Sequence, residues 1–305
     1  MRSRFAFLFS FCTLAASSTA LTLVAAACSS SKESPASLPL IEGGSGGRRD
    51  SGDPPIDEQD AEVADTYIPP GTPGRVYAHT ADTLYLFEPV TNDLKMIGKF
   101  TCLNGSEQII DLAVDRTGSV YATSFTRFLK VDPITAACTE IKANAVGDDD
   151  YPNALSFVPA GTVESDREAL VGFQGGDYVK IDVSNGMVTK IGAIGDGLVS
   201  SGDVVSAKGG KTYVTVKGKG CADCLVEIDP ATGKSTKNWG SIGKPDVFGL
   251  AFWAGDLYAF TNAGELLLLT LDSGSLVATA VPITNAPAKF WGAGSTTSAP
   301  VGPVR

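Results

Sequence analysis

An all-β fold, a five-bladed β-propeller closed by its own C-terminal strand, is what this sequence predicts, and three observations carry the prediction. A unit recurs five times between Arg75 and Thr297, with candidate inner strands around Leu112, Leu155, Val204, Leu250 and Trp291, at spacings of 43, 49, 46 and 41 residues. Their mean of about 45 is the length of one four-stranded blade. The 34 glycines and 17 prolines in 305 residues argue against long helices, while 43% hydrophobic content is enough for a sizeable core. Finally, the first copy lacks an inner strand and begins at Arg75-Val76-Tyr77, and the last segment, Phe290 to Thr296, has nothing after it. Joining the two in one blade closes the ring and removes an exposed sheet edge.

The chain opens with Arg2 and Arg4, an uncharged apolar stretch from Phe5 through Ala27, and small residues before Cys28. That order is the order of a secretory signal over residues 1–27. Ala25-Ala26-Ala27 satisfies a signal-peptidase site, while Ala26-Ala27-Cys28 followed by three serines resembles the lipobox of bacterial lipoproteins, with Ala25 where that family prefers Leu. Cysteine parity favours the second reading. Cys12 leaves with the signal, and an acylated Cys28 leaves four cysteines that can pair. The resemblance implies a diacylglyceryl thioether on the Cys28 sulfur and an acyl group on its amine. One chain binds membranes marginally, but each buried methylene adds about 0.8 kcal/mol, so several hold firmly. Ser29 stands where some lipoproteins carry the aspartate of inner-membrane retention. The expected address is therefore the outer membrane or cell surface, with a periplasm-facing orientation left open.

Residues 28–74 change to Ser, Gly, Pro and acid, with a run of glycines from Gly43 to Gly47 and then Asp50, Asp53, Asp57, Glu58, Asp60, Glu62 and Asp65. So little apolar surface cannot offset the entropy of ordering, and the segment reads as a disordered tether spanning roughly 35 to 40 Å. The propeller follows over 75–297, and 298–305 is a flexible tail. A formal net charge of -10 excludes phosphate-backbone binding, which needs a basic face.

Inside each repeat, second-strand tyrosines recur as Tyr77, Tyr121, Tyr213 and Tyr258. Third strands are apolar on both faces, as in Leu84-Tyr85-Leu86-Phe87 and Leu266 through Leu269, as expected when each sheet is sandwiched between two others. The turn after the third strand repeats most clearly. Asp229-Pro230-Ala231-Thr232-Gly233 matches the segments starting at Glu88, Asp132 and Asp182 and, more loosely, Thr270. The acid accepts a hydrogen bond from the backbone two residues on, proline presets φ, and the last position needs φ > 0. Asn92, Gly186, Gly233 and Gly274 suit that position, whereas Ala136 does not. This grammar resembles the NHL and YVTN classes of propeller repeat. The resemblance implies fold and leaves activity open.

Cys221-Ala222-Asp223-Cys224, placed in the loop between the second and third strands of the fourth blade, supplies only two of the four ligands zinc needs and reads as a small-loop disulfide worth about 2 kcal/mol. Cys102 and Cys138, at or near the ends of fourth strands of neighbouring blades, are expected to pair, contributing about 3.5 to 4 kcal/mol.

Function is expected on the face carrying the inter-blade loops and the loops between second and third strands, read as the longer ones. Those loops collect Glu107, Asp111, Asp148-Asp149-Asp150, Asn153, Asp196, Asp203 and Asp246. Asp111, Asn153 and Asp203 sit just before inner strands and are expected to ring the channel mouth, where acids and an amide suit Ca²⁺ or a sugar. A solvated acidic rim is the plainer reading. His79, the single histidine, sits in a second strand and reads as structural. No catalytic residue and no metal ligand is assigned. The expected role is binding or scaffolding of a protein or carbohydrate at the bacterial envelope, with the membrane reached through the lipid anchor. The alternative is a glycosidase-like or lactonase-like hydrolase using Asp111, Asn153 and Asp203 around a divalent metal.

Overall fold

The computed structural model describes residues 75–143 and 150–303. The proposed signal, Cys28, the tether, Asp148, Asp149 and the last two residues lie outside them. The described residues form twenty strands in five antiparallel four-stranded sheets, with no α-helix among them. The inner strands are Ile109–Val114, Leu155–Val158, Val199–Ser206, Val247–Trp253 and Gly292–Ser295, and each touches the next around a ring. This is a five-bladed β-propeller.

Closure takes the expected form. Gly292–Ser295 pairs antiparallel with Val76–His79, matching Val76 to Ser295 and His79 to Gly292, so the C-terminal strand is innermost in the first blade. Register corrects one detail. Leu112, Leu155, Val204 and Leu250 face Ala122, Gly172, Val214 and Ala259 on the second strands, and the residue facing the corresponding Ala78 is Ala293. Trp291 therefore lies two residues ahead of the true equivalent, because Gly-Ala-Gly-Ser has no large apolar side chain to mark the strand.

Five apolar cores occupy the five blade interfaces. Tyr77, Leu84 and Leu86 of the first blade meet Ile109, Leu112 and Val120 of the second. Phe87 of the first blade meets Tyr258 and Phe260 of the fifth, with Phe290 closing over them. Each sheet thus buries both faces, which is why the third strands alternate so little.

The repeated turn behaves as its chemistry requires. Asp132, Asp182 and Asp229 each accept through Oδ1 the backbone N–H two residues on, at 2.8, 2.9 and 2.9 Å. Asn92, Ala136, Gly186, Gly233 and Gly274 all take positive φ, Ala136 at 59°. Ala136 pays the left-handed cost of an L-residue because its methyl is fully buried among Tyr77, Leu129 and their neighbours. Glu88 departs from the pattern and instead accepts from Arg75 Nη1 at 2.6 Å.

Both expected disulfides form. Their settings differ from expectation. Cys102 lies in the connection from the first to the second blade, and Cys138 opens a fourth strand, Cys138–Ala143, rather than ending one. Cys221 and Cys224 lie within the third strand Cys221–Ile228 rather than in a loop. The connections between second and third strands are also tight rather than long. Phe125-Thr126 and Gly175-Gly176 are two-residue links, whereas the largest hairpin insertion, 159–168, joins a first strand to a second.

Candidate functional site

The site builds from one backbone fact. An inner strand pairs with its neighbour on one side only, so some of its N–H groups point toward the axis unpaired, and a buried unpaired N–H is costly. Here two side chains collect them. Asp111 accepts from Leu112 N at 2.8 Å through Oδ1 and from Leu155 N at 2.7 Å through Oδ2. Asp203 accepts from Val204 N at 2.6 Å through Oδ1 and from Leu250 N at 2.6 Å through Oδ2. The backbone N–H of Ala293 also favours the ionised form of Asp203, and the two carboxyls act on each other electrostatically. These four donors and Ala293 are the five register-equivalent residues, so four blades contribute an N–H bond to a two-carboxyl hub on the axis and the fifth brings Ala293 beside it.

Sequence explains why the hub has two members and not five. The register-equivalents of Asp111 and Asp203 in the other blades are Ala154, Gly249 and Gly292. A Cβ at Gly292 would lie 2.3 Å from His79 Nε2 and 2.5 Å from Asp111 Oδ1, so the ring position has no room for a third large side chain. Asp111 and Asp203 are both fully buried. Burial pushes both carboxyls well above the usual carboxylate range, and the charge of Asp203 raises Asp111 further.

His79 belongs to this hub, which its position in the sequence concealed. Its Nδ1 lies 2.8 Å from Thr80 O and donates to it, and its Nε2 lies 3.8 Å from Asp111 Oδ1 with no hydrogen-bond partner among the described residues. Burial pulls the imidazole down to about 4, so it is neutral at physiological pH. Phe100 packs edge-on against the ring.

The expected trio therefore separates into two tiers. Asp111 and Asp203 are sealed inside, while Asn153 is exposed at the mouth above them. One residue before each hub position come Ile110, Asn153, Gly202, Phe248 and Trp291, and these five, with Phe125, line a cavity of about 120 Å³ over the axis. Phe125 is 45% exposed on its rim. A second concavity of about 500 Å³ shares Ile110, Phe125 and Asn153 and extends over Asp150, Gln174 and Asp177. The mouth is thus aromatic, with one amide, and not a ring of acids. Sequence reasoning took Trp291 for an inner-strand marker and so missed this cup, whose members Ile110, Asn153, Gly202, Phe248 and Trp291 stand two places before Leu112, Leu155, Val204, Leu250 and Ala293.

Two other residues of these loops serve structure. Glu107 accepts from Arg127 Nε at 2.7 Å and Ser124 Oγ at 2.6 Å, and Arg127 also donates to Cys102 O at 2.7 Å. Burial opposes its ionisation, yet these donors hold its carboxyl below the usual range. Asp246 donates its backbone N–H to Asp223 Oδ2 at 2.8 Å.

No protein-family model matches the chain, and no curated protein matches it in sequence. Several solved structures align with much of the chain at low identity. The nidogen/laminin complex aligns at 11% identity and a TM-score of 0.46 over 73% of this chain and 99% of that one. The calcium-binding protein regucalcin from Agrobacterium tumefaciens aligns at 16% identity and 0.40 over 65% of each chain. The aldose sugar dehydrogenase of Streptomyces coelicolor, in its PQQ-bound form, aligns at 11% identity and 0.41 over 70% of this chain and 84% of that one.

Proposed function

We propose that this chain is an exported lipoprotein whose propeller binds a ligand at its axial mouth, held off the membrane by the 28–74 tether. The observation that carries the binding half is the apolar cup of Phe248, Trp291, Phe125 and Ile110, open above a sealed polar hub. Concave sites with apolar walls and a few placed polar groups are where proteins take ligands. The hydrolase alternative would need Asp111 and Asp203 to reach a substrate or a metal, whereas all four of their oxygens accept backbone N–H groups. The lipobox-like residues before Cys28 support the anchor.

Membrane fractionation of cells expressing wild type and Cys28→Ala tests the anchor. Wild type is expected with the membranes and the variant in the soluble fraction. Retention of the variant on membranes would overturn lipidation at Cys28.

A further inference from the structure

Passing outward from the axis, the lining of the two joined concavities changes character in a directed way. At the axis stand flat apolar faces, Trp291, Phe248 and Phe125, and at the junction stands the exposed amide of Asn153. Beyond it lie planar polar groups, those of Asp150, Gln174 and Asp177. Gln174 Nε2 donates to Asp150 O at 2.7 Å, which fixes the amide and leaves Oε1 without a partner among the described residues. Lys190 Nζ holds Asp177 Oδ1 at 2.7 Å and leaves Oδ2 free in the same sense. No lysine or arginine lines either concavity among the described residues.

We propose that this groove binds a neutral saccharide of one or two rings, an inference that rests on the binding-face reading above. A sugar ring has an apolar C–H face that lies on an aromatic side chain and a rim of hydroxyls that each donate and accept. Fixed amides and carboxylates match such hydroxyls, because an amide offers both roles and a carboxylate accepts twice. The cup of about 120 Å³ admits the edge of one ring over Trp291, and the neighbouring 500 Å³ admits a second beside Gln174 and Asp177. Anionic sugars are disfavoured by Asp150, which no cation pairs among the described residues, whereas the charge of Asp177 is already met by Lys190. An extended peptide asks for an unpaired strand edge. The edges that reach this groove are those of the inner strands, whose axial N–H groups Asp111 and Asp203 already occupy.

The test is calorimetric and fluorescence titration of the full-length protein in detergent with neutral gluco-, galacto-, manno- and N-acetylglucosamine mono- and disaccharides, with the peptide Lys-Phe-Lys in parallel. At least one saccharide is expected to bind saturably and to shift tryptophan emission. Affinity is expected to fall at least tenfold in Asn153→Ala and in Trp291→Ala and to stay unchanged in Trp239→Phe. The exposed Asn153 keeps the test valid if Trp291→Ala folds poorly. Saccharide binding that survives both substitutions would overturn the groove while leaving a binding propeller. A silent saccharide panel with Lys-Phe-Lys binding lost in both variants would overturn the saccharide and keep the binding face. Silence from both probes would count against the inference and the binding face together.

Discussion

At the residue scale, the two hub aspartates decide whether the axis is a sealed core or a water-filled channel. Removing Asp203 strands the N–H groups of Val204 and Leu250 away from water. Each stranded group costs about 1–3 kcal/mol, so Asp203→Ala is expected to lose roughly 3–5 kcal/mol or more, read as a drop in the urea midpoint. His79 makes the stability depend on pH. Its folded value of about 4 lies below the unfolded 6.5, so the folded state refuses a proton that the unfolded state accepts. That contribution is present above pH 6.5 and is lost as pH falls toward 4, up to about 3 kcal/mol. The hub carboxyls act oppositely, because values raised by burial favour the folded state as pH falls. His79→Gln is therefore expected to become progressively more stable relative to wild type between pH 6.5 and 4. Parallel slopes of urea midpoint against pH in the two proteins would contradict this.

At the element scale, the turn after each third strand fixes both strand register and blade spacing. Gly233 takes φ 70°, and a Cβ there would sit 2.3 Å from Tyr178 Cγ of the neighbouring blade. Gly233→Ala is expected to destabilise by about 2–4 kcal/mol, visible as a lower thermal midpoint, since the ring is fixed by its hydrogen bond to Pro230 O at 2.9 Å. These turns were legible in the sequence because their signals are local. The acid, the proline and the positive-φ residue sit within five positions and recur. The closing strand was legible only through its missing partner, since Gly292–Ser295 carries no alternation of its own and Trp291 marked it two residues early. The loop lengths were misjudged although Gly175-Gly176 carried a turn signal, because Phe125-Thr126 contains no glycine or proline to announce the same two-residue link. The hub was half legible. Asp111 and Asp203 were picked out by position, but their burial depends on strands 44 and 47 residues away, and the clue lay in the small residues Ala154, Gly249 and Gly292 at the matching places. His79 joins through pairing with the far end of the chain, which no local pattern reveals.

At the scale of the whole molecule, the ring is closed within the first blade by the pairing of Val76–His79 with Gly292–Ser295 and tied together at its axis by the hub. The same strand serves both, because Ala293 pairs with Ala78 and its N–H favours the Asp203 carboxylate. A chain ending at Lys289 would leave the Val76–His79 edge bare and the hub without Ala293. It is expected to lose its cooperative unfolding transition by circular dichroism, and a truncated chain that still melted sharply near the wild-type temperature would show that closure is dispensable. The most direct test of the whole account is amide hydrogen exchange at Leu112, Leu155, Val204, Leu250 and Ala293, resolved by NMR. The five are expected to exchange only through global unfolding, at a common free energy, and to lose protection together in Asp203→Asn. Exchange at the fast, unequal rates of solvent-facing strand edges would mean that the axis is an open channel and that no carboxyl hub joins the blades.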